Sequence, residues 1–397
     1  MRFVKGIAAA LLLVAVGALS LSCAMVPAGP ARGTASADRL RPGPYAVRRV
    51  ELELSDGTRP TRANGSFPGA PSRALPATLW FPKSSDAAHP LVVYSHGYMS
   101  TRSEAERYAE HLASYGFVVI AADFPLTNAH APGGPIVADA VNQPRDVSFL
   151  IDTVTGWSAG ERPFRGEIDP SRIGAAGLSL GGFTTTVVTF HPTLRDPRIS
   201  AAVSIAGPSA MFASSLFANA HVPFLMIAGD ADALVDYATN AATMPTRLAY
   251  GGALLTLHDG SHAGFAPQTA GVMRIFGNPD RIACCVIERR LRELPKENPF
   301  ADLGGEEQGM LSPPVRLPCA NGVAPEALAA DRQQMIATLA LRAFFDSVWA
   351  SDEREHAAAA RFLAETLPRD FPEVSYRAIA PQPPREAEPA KPPDSAP

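Results

Sequence analysis

Charge is scarce in this chain. Charged residues make up 19% of the 397, and the formal net charge is only −4. No basic arm or acidic tail dominates, so nucleic-acid binding is excluded as the main theme. Cysteine is scarcer still, with four in the chain. No CxxC or HxxxH spacing lies near them, which leaves a structural metal site without support. Beyond the first two dozen residues there is no uncharged apolar run of about 18 residues, which excludes a multi-span membrane protein. No internal repeat is visible, so a solenoid is excluded. Hydrophobic residues are not lacking. At 46% they supply a large core and exclude wholesale disorder.

The two ends differ from the middle. Arg2 and Lys5 precede an uncharged apolar run from Gly6 to Leu21, followed by small residues at Ser20, Ser22, Cys23 and Ala24. That is the layout of a secretory signal peptide over 1–24, and the run is short for a membrane span. Cys23 after a small residue resembles a bacterial lipobox, although leucine stands two and four positions before it rather than three. Lipidation of Cys23 and ordinary cleavage after Ala24 or Ala28 both stay open. Export follows in either case: periplasmic, outer-membrane or extracellular. Residues 25–44 read as a flexible linker, and 376–397 as a disordered proline-rich tail. The 38 prolines gather near both ends and in one stretch after residue 266. The folded domain is therefore expected over 45–375. Loss of Cys23 leaves Cys284, Cys285 and Cys319; in an oxidising compartment Cys284 or Cys285 pairs with Cys319.

In the middle, short β-branched apolar runs alternate with helical patterns. Strands are expected at Ala46–Leu54, Ala77–Phe81, Leu91–Ser95, Val118–Ala122, Ile173–Gly177, Ala201–Ile205, Phe224–Ala228 and Ala253–Leu257. Several lack polar alternation, as strands buried on both faces do. Helices are expected at Thr101–Ser114, where Thr101 and Glu104 form a capping-box pattern, and at Arg145–Trp157, Leu180–Phe190, Asp236–Thr243 and Asp331–Trp349. The alternation predicts an α/β fold: a mostly parallel, doubly wound sheet of eight strands flanked by helices, with an antiparallel edge where the first two strands lack a helix between them.

Residues 177–181 read Gly-Leu-Ser-Leu-Gly, with a small-residue strand before and a helical stretch after. A tight strand-to-helix turn lifts a serine oxygen above the sheet, and its glycines remove clashes around the strained turn. Ser179 is the candidate nucleophile. The N–H of Leu180, at the helix start, is a candidate oxyanion donor. An acid is then due after a later strand. Phe224–Ala228 ends in Gly-Asp-Ala-Asp, where Asp230 and Asp232 compete; Asp230 reads as a turn residue and Asp232 as the acid. The last strand leads to His258 and His262. His262, in a small-residue loop, is the candidate base. The loop after the third strand, Ser95-His96-Gly97-Tyr98, offers the Tyr98 N–H as second oxyanion donor, with His96 read as a brace.

SHGYMSTRSE, GFVVIAADFP, RDVSFLIDTV, GLSLGG, GDADALVD and GSHAGF together resemble the α/β-hydrolase superfamily. The likeness is to dienelactone-hydrolase-like esterases, platelet-activating-factor acetylhydrolases and bacterial cutinases or polyester hydrolases, over about residues 75–265 and the last helix. A dienelactone hydrolase uses cysteine where this chain has Ser179. The resemblance implies a serine esterase with Ser179, Asp232 and His262 as triad, and Tyr98 and Leu180 as oxyanion donors. It implies no cofactor or metal. The substrate is a small-molecule or lipid ester of short to medium acyl chain, and an N-terminal lipid on Cys23 is the candidate membrane attachment. Lipase, phospholipid-deacetylating and polyester-cleaving activities share such a site, and a silent binding lipoprotein is the reading of another class. One departure stands out. Residues 266–325 intervene before the last helix and are expected to be an insertion or partial lid closed by the disulfide.

Overall fold

The computed structural model describes residues 29–248, 250–269, 277–291, 298–312 and 317–381. The signal-like segment, Cys23 and the tail after 381 lie outside the described residues.

Nine strands form one sheet: β1 (Val47–Asp56), β2 (Arg73–Pro82), β3 (Ala88–Ser95), β4 (Val118–Ala122), β5 (Glu167–Leu178), β6 (Ile199–Ile205), β7 (Phe224–Gly229), β8 (Gly252–Leu257) and β9 (Val374–Ile379). Their order is β1-β2-β4-β3-β5-β6-β7-β8-β9. The block from β4 to β8 is parallel, while β1, β2 and β9 run antiparallel to their neighbours. The mixed sheet flanked by helices is the α/β-hydrolase fold.

Strand polarity explains the packing. Leu91 and Val93 enter one core, against helices Gln143–Gly156 and Leu180–Phe190; Val92 and Tyr94 enter the other, against helices Glu106–Ser114 and Ala330–Trp349. Successive side chains leave a strand on opposite faces, so a strand buried on both reads as an unbroken apolar run. The carboxyl ends of β3 to β8 then share one edge, the place where open α/β sheets build sites.

Several expectations are corrected. Thr101–Ser114 is a 3₁₀ turn, Arg102–Ala105, followed by the α-helix Glu106–Ser114, and Thr101 makes no side-chain cap. Glu104 instead turns inward, because its carboxylate is bound by Gly97 N–H and the Tyr94 hydroxyl. Asp236–Thr243 is mostly turn, with short helical pieces at Ala241–Thr243 and Met244–Arg247. The stretch read as flexible linker carries a helix, Ala35–Leu40, capped by Thr34. It is fixed because Ser36 is buried and Arg39 pairs with Asp346. Residues 376–379 belong not to a disordered tail but to β9, which pairs with β8 across Tyr376 and Leu255. The inserted segment includes a helix, Asp280–Leu291.

Candidate active site

Ser179 stands between β5 and the helix Leu180–Phe190 with φ 57° and ψ −118°. That left-handed backbone is costly for a residue with a Cβ and persists because the turn around it is over-determined. Ser179 N–H donates to Ile205 O at 2.8 Å, and Phe183 N–H donates to Ser179 O at 3.0 Å. The flanking glycines are needed for contact. A Cβ on Gly181 would lie 1.9 Å from Ser95 O, and one on Gly177 would lie 2.4 Å from Gly181 O.

The turn after β7 brings Asp232, and the loop after β8 brings His262. His262 Nε2 lies 2.8 Å from Ser179 Oγ, and His262 Nδ1 lies 2.7 Å from Asp232 Oδ2. The other carboxylate oxygen of Asp232 accepts from Leu234 N–H at 2.8 Å and Val235 N–H at 2.7 Å. Both oxygens are thus fixed, and the imidazole is buried. The two turns are also bonded to each other, Asp230 N–H to Leu257 O and Ala231 N–H to Gly260 O, each at 3.1 Å. A hydroxyl on an imidazole on a buried carboxylate is an arrangement that activates a serine by taking its proton.

Burial disfavours the imidazolium of His262, but the charges of Asp232, Asp280 and Glu104 outweigh it, and the pKa ends above the ordinary histidine value. Glu104 is fully buried, and burial pushes its pKa up to about 7 against hydrogen bonds from Ser100, Gly97 and Tyr94.

Tyr98 lies in the loop beside the serine. A Cβ on the preceding Gly97 would sit 3.4 Å from Ser179 Cβ. The Tyr98 hydroxyl donates to Pro135 O at 2.7 Å, which fixes the ring. Met99, at φ 63°, is held by its N–H to Thr127 O at 2.9 Å. Leu180 is the first residue of its helix, so its N–H has no acceptor within that helix. His96 is buried, its Nδ1 2.7 Å from Gly97 O and its Nε2 accepting from Phe124 N–H at 3.1 Å. It braces the loop as expected.

The competing residues pair elsewhere. Asp230 Oδ2 lies 2.7 Å from His258 Nδ1, and His258 Nε2 lies 2.6 Å from Ser375 Oγ on β9. Of the thiols, Cys284 and Cys319 form the disulfide, with Cα atoms 5.8 Å apart, and Cys285 is an exposed free thiol.

Four supporting residues escaped sequence reading. Gln333 Nε2 donates to Ser261 O at 2.6 Å, and Gln334 Nε2 donates to Gly264 O at 3.1 Å, so the long helix Ala330–Trp349, which helices Glu353–Arg361 and Leu367–Asp370 follow, props the histidine loop. Glu104 was hidden in an apparent capping box. Asp280, at the start of the inserted helix, carries only the helix-start pattern Asn-Pro-Asp as a signal.

The profile of the PET hydrolase-like family (PETase) matches residues 51–276, a stretch holding Ser179, Asp232 and His262. A bis(hydroxyethyl) terephthalate hydrolase of Streptomyces coelicolor is 28% identical over 249 residues, 61% of this chain and 67% of the relative. Cutinase cut1 of Thermobifida fusca is 27% identical over 278 residues, 68% of this chain and 74% of the relative. Cutinase 2 of Thermobifida cellulosilytica is 27% identical over 195 residues, 48% of this chain and 66% of the relative. The chain belongs to the PET hydrolase-like family and is a carboxylic ester hydrolase of the α/β-hydrolase fold.

Proposed function

We propose that the protein is an exported serine esterase in which Ser179 attacks, His262 shuttles the proton and Asp232 holds and stabilises the imidazole. The observation that carries this reading is the unbroken chain Asp232–His262–Ser179, at 2.7 and 2.8 Å, on a strained strand-to-helix turn.

The chemistry runs in two halves. Ser179 Oγ adds to the ester carbonyl carbon while His262 Nε2 takes its proton. Negative charge gathers on the carbonyl oxygen, where the N–H groups of Tyr98 and Leu180 receive it. The tetrahedral species collapses, the C–O bond to the alcohol breaks, and His262 returns the proton to the departing oxygen. Water then attacks the acyl-serine with His262 again as base, releasing the acid and free Ser179. Asp232 keeps Nδ1 protonated, so Nε2 faces the serine as acceptor.

The substrates are esters of short- to medium-chain acids. The names of the relatives, two cutinases and a bis(hydroxyethyl) terephthalate hydrolase, extend this to polyester-type esters of aromatic and aliphatic acids. Export is supported by the signal-like pattern of residues 1–24 and by the Cys284–Cys319 disulfide, a bond that persists in oxidising compartments.

The test is hydrolysis of p-nitrophenyl acetate, butyrate and palmitate and of bis(hydroxyethyl) terephthalate by wild type and Ser179→Ala. Saturable turnover lost in the variant supports the reading, and the chain-length ranking sizes the acyl site. Turnover that survives in Ser179→Ala overturns it.

A further inference from the structure

We infer that the segment inserted between the His262 loop and the helix Ala330–Trp349 is a brace for the acid and base, and that Asp280 is its positioning residue. This rests on the Ser179–His262–Asp232 reading above.

Asp280 is completely buried. Its Oδ2 accepts from Ala233 N–H and from His262 N–H, each at 3.0 Å, and its Oδ1 accepts from Ala263 N–H at 2.7 Å. Ala233 follows the acid Asp232; His262 and Ala263 are the base and its neighbour. One side chain therefore ties the two triad loops together through their main chains.

The grip is closed on itself. Cys319 N–H donates to Ala233 O at 2.6 Å, so both polar groups of Ala233 bond to the insertion. The disulfide from Cys284, one turn into the helix that Asp280 opens, to Cys319 joins the two sides of that grip covalently. Asn278, itself buried, accepts from Asp280 N–H at 2.9 Å and donates to Ala324 O at 3.0 Å. Leu328 N–H donates to Asp259 O at 2.8 Å and so fastens the far end of the insertion to the histidine loop.

Chemistry requires an aspartate here. Three N–H donors converge, and a carboxylate presents acceptors on both oxygens, whereas an asparagine would set its own donor against one of them. A carboxylate so deep is tolerated because its hydrogen bonds are satisfied, and its place at a helix N-terminus favours its charge further. Its charge also reaches the base. The titratable groups facing His262 are Asp232, Asp280 and Glu104, and all three favour the imidazolium.

The family match ends at residue 276, before Asp280. These contacts give the insertion a supporting role beside the partial lid expected of it.

Kinetics of the full-length mature enzyme on p-nitrophenyl butyrate test this. Asp280→Asn should lower kcat about tenfold or more, with KM within about twofold, because misplaced groups lose rate rather than binding. The acid limb of its kcat/KM profile should move to lower pH, since one carboxylate facing His262 is gone. A folded Asp280→Asn enzyme with unchanged kcat and an unmoved limb overturns the proposal. If that variant does not fold, Cys284→Ser/Cys319→Ser decides. It keeps the Asp280 charge and opens the grip, so kcat should fall several-fold with the limb in place; an unchanged kcat overturns the proposal. Ser179→Ala is measured alongside. Activity surviving there fails the triad reading itself, whereas activity lost there and kept in Asp280→Asn fails only the brace.

Discussion

Asp230 and Asp232 stand two residues apart in one turn, yet each is bound to a different histidine. Asp232 Oδ2 lies 2.7 Å from His262 Nδ1, and Asp230 Oδ2 lies 2.7 Å from His258 Nδ1. Distance alone does not separate the two pairs. Position and burial do: His262 continues to Ser179 on the strained turn, while His258 continues to Ser375 in the extended strand β9, with its ring about half exposed.

The first prediction follows from that contrast. Asp232→Asn should retain fold and lose about 10⁴ in kcat, because the amide presents its donor or a weaker acceptor to Nδ1 and unsettles the tautomer. Asp230→Asn should leave kcat within a few-fold and cost at most about 1 kcal/mol, the range of exposed pairs. Steady-state kinetics and thermal melts of the two variants check both statements. Equal losses at the two positions would remove Asp232 from its role.

Glu104 supplies a second prediction, on pH. His262 must be neutral to accept the serine proton, and its pKa lies above the ordinary histidine value. Activity should therefore rise with pH through a limb above about 6.5. With its own pKa at about 7, Glu104 ionises across the range of that limb; Glu104→Gln removes the charge so gained beside the imidazolium and should shift the upper part of the limb downward. Stability should move as well. A carboxyl raised to about 7 holds its proton in the folded chain after the unfolded chain has lost it. Folding is then favoured below the ordinary glutamate range and loses stability as pH rises from about 4.5 to about 7, by about 3 kcal/mol. Denaturant titrations of wild type across that window should show the slope, and Glu104→Gln should flatten it.

Much of this architecture was legible in the chain. Val118–Ala122 and Leu180–Phe190 are found where the pattern puts them, because a strand buried on both faces and a helix behind a glycine turn leave strong local signals. The triad candidates are brought together for the same reason: each follows a strand in a small-residue turn. What escaped reading is long-range. β9 reads Val-Ser-Tyr-Arg-Ala-Ile, with its middle residues partly or fully exposed, and is fixed by pairing with β8 more than a hundred residues earlier. Glu104 matches a capping box locally, but the unsatisfied N–H of Gly97 and the Tyr94 hydroxyl compete for it and win. Asp280 has no local sign of its role, since its three donors come from two distant loops.

Gly181→Ala is the third prediction. A Cβ there would stand 1.9 Å from Ser95 O, well inside contact, and that oxygen is main chain at the end of β3, so no flexible side chain can give way. Relief requires β3 and the helix Leu180–Phe190 to part, which moves Ser179 off its bond to His262. The variant should lose expression or melt far below wild type, and any folded fraction should have lost most of its kcat at nearly unchanged KM. A well-folded, fully active Gly181→Ala enzyme would show that the turn is looser than its contacts imply.

Arg73 carries the last prediction, which concerns stability alone. Its guanidinium is buried between Asp139 and Asp146, with Nε 2.7 Å and Nη2 2.6 Å from the two oxygens of Asp146, and Nη2 2.9 Å from Asp139 Oδ2. Arg59 adds a further bond to Asp146 at 2.6 Å. Arg73 lies on β2, Asp139 on the 3₁₀ helix Val137–Asn142 and Asp146 on the helix Gln143–Gly156, which also bonds to the helix Leu180–Phe190 through Gln143 and Thr184. Arg73→Met leaves two buried carboxylates facing each other with one partly exposed arginine between them and water. Removing one partner of a buried pair costs about 3–5 kcal/mol, so the variant should melt markedly lower than wild type. Converting both acids as well, in Arg73→Met/Asp139→Asn/Asp146→Asn, should recover part of that loss, because the uncompensated charge rather than the missing contact is the larger share of it. Below its melting point the single variant should hydrolyse esters at the wild-type kcat, since none of these groups touches Ser179, Asp232 or His262. A single variant as stable as wild type would mean that water reaches the cluster and screens it.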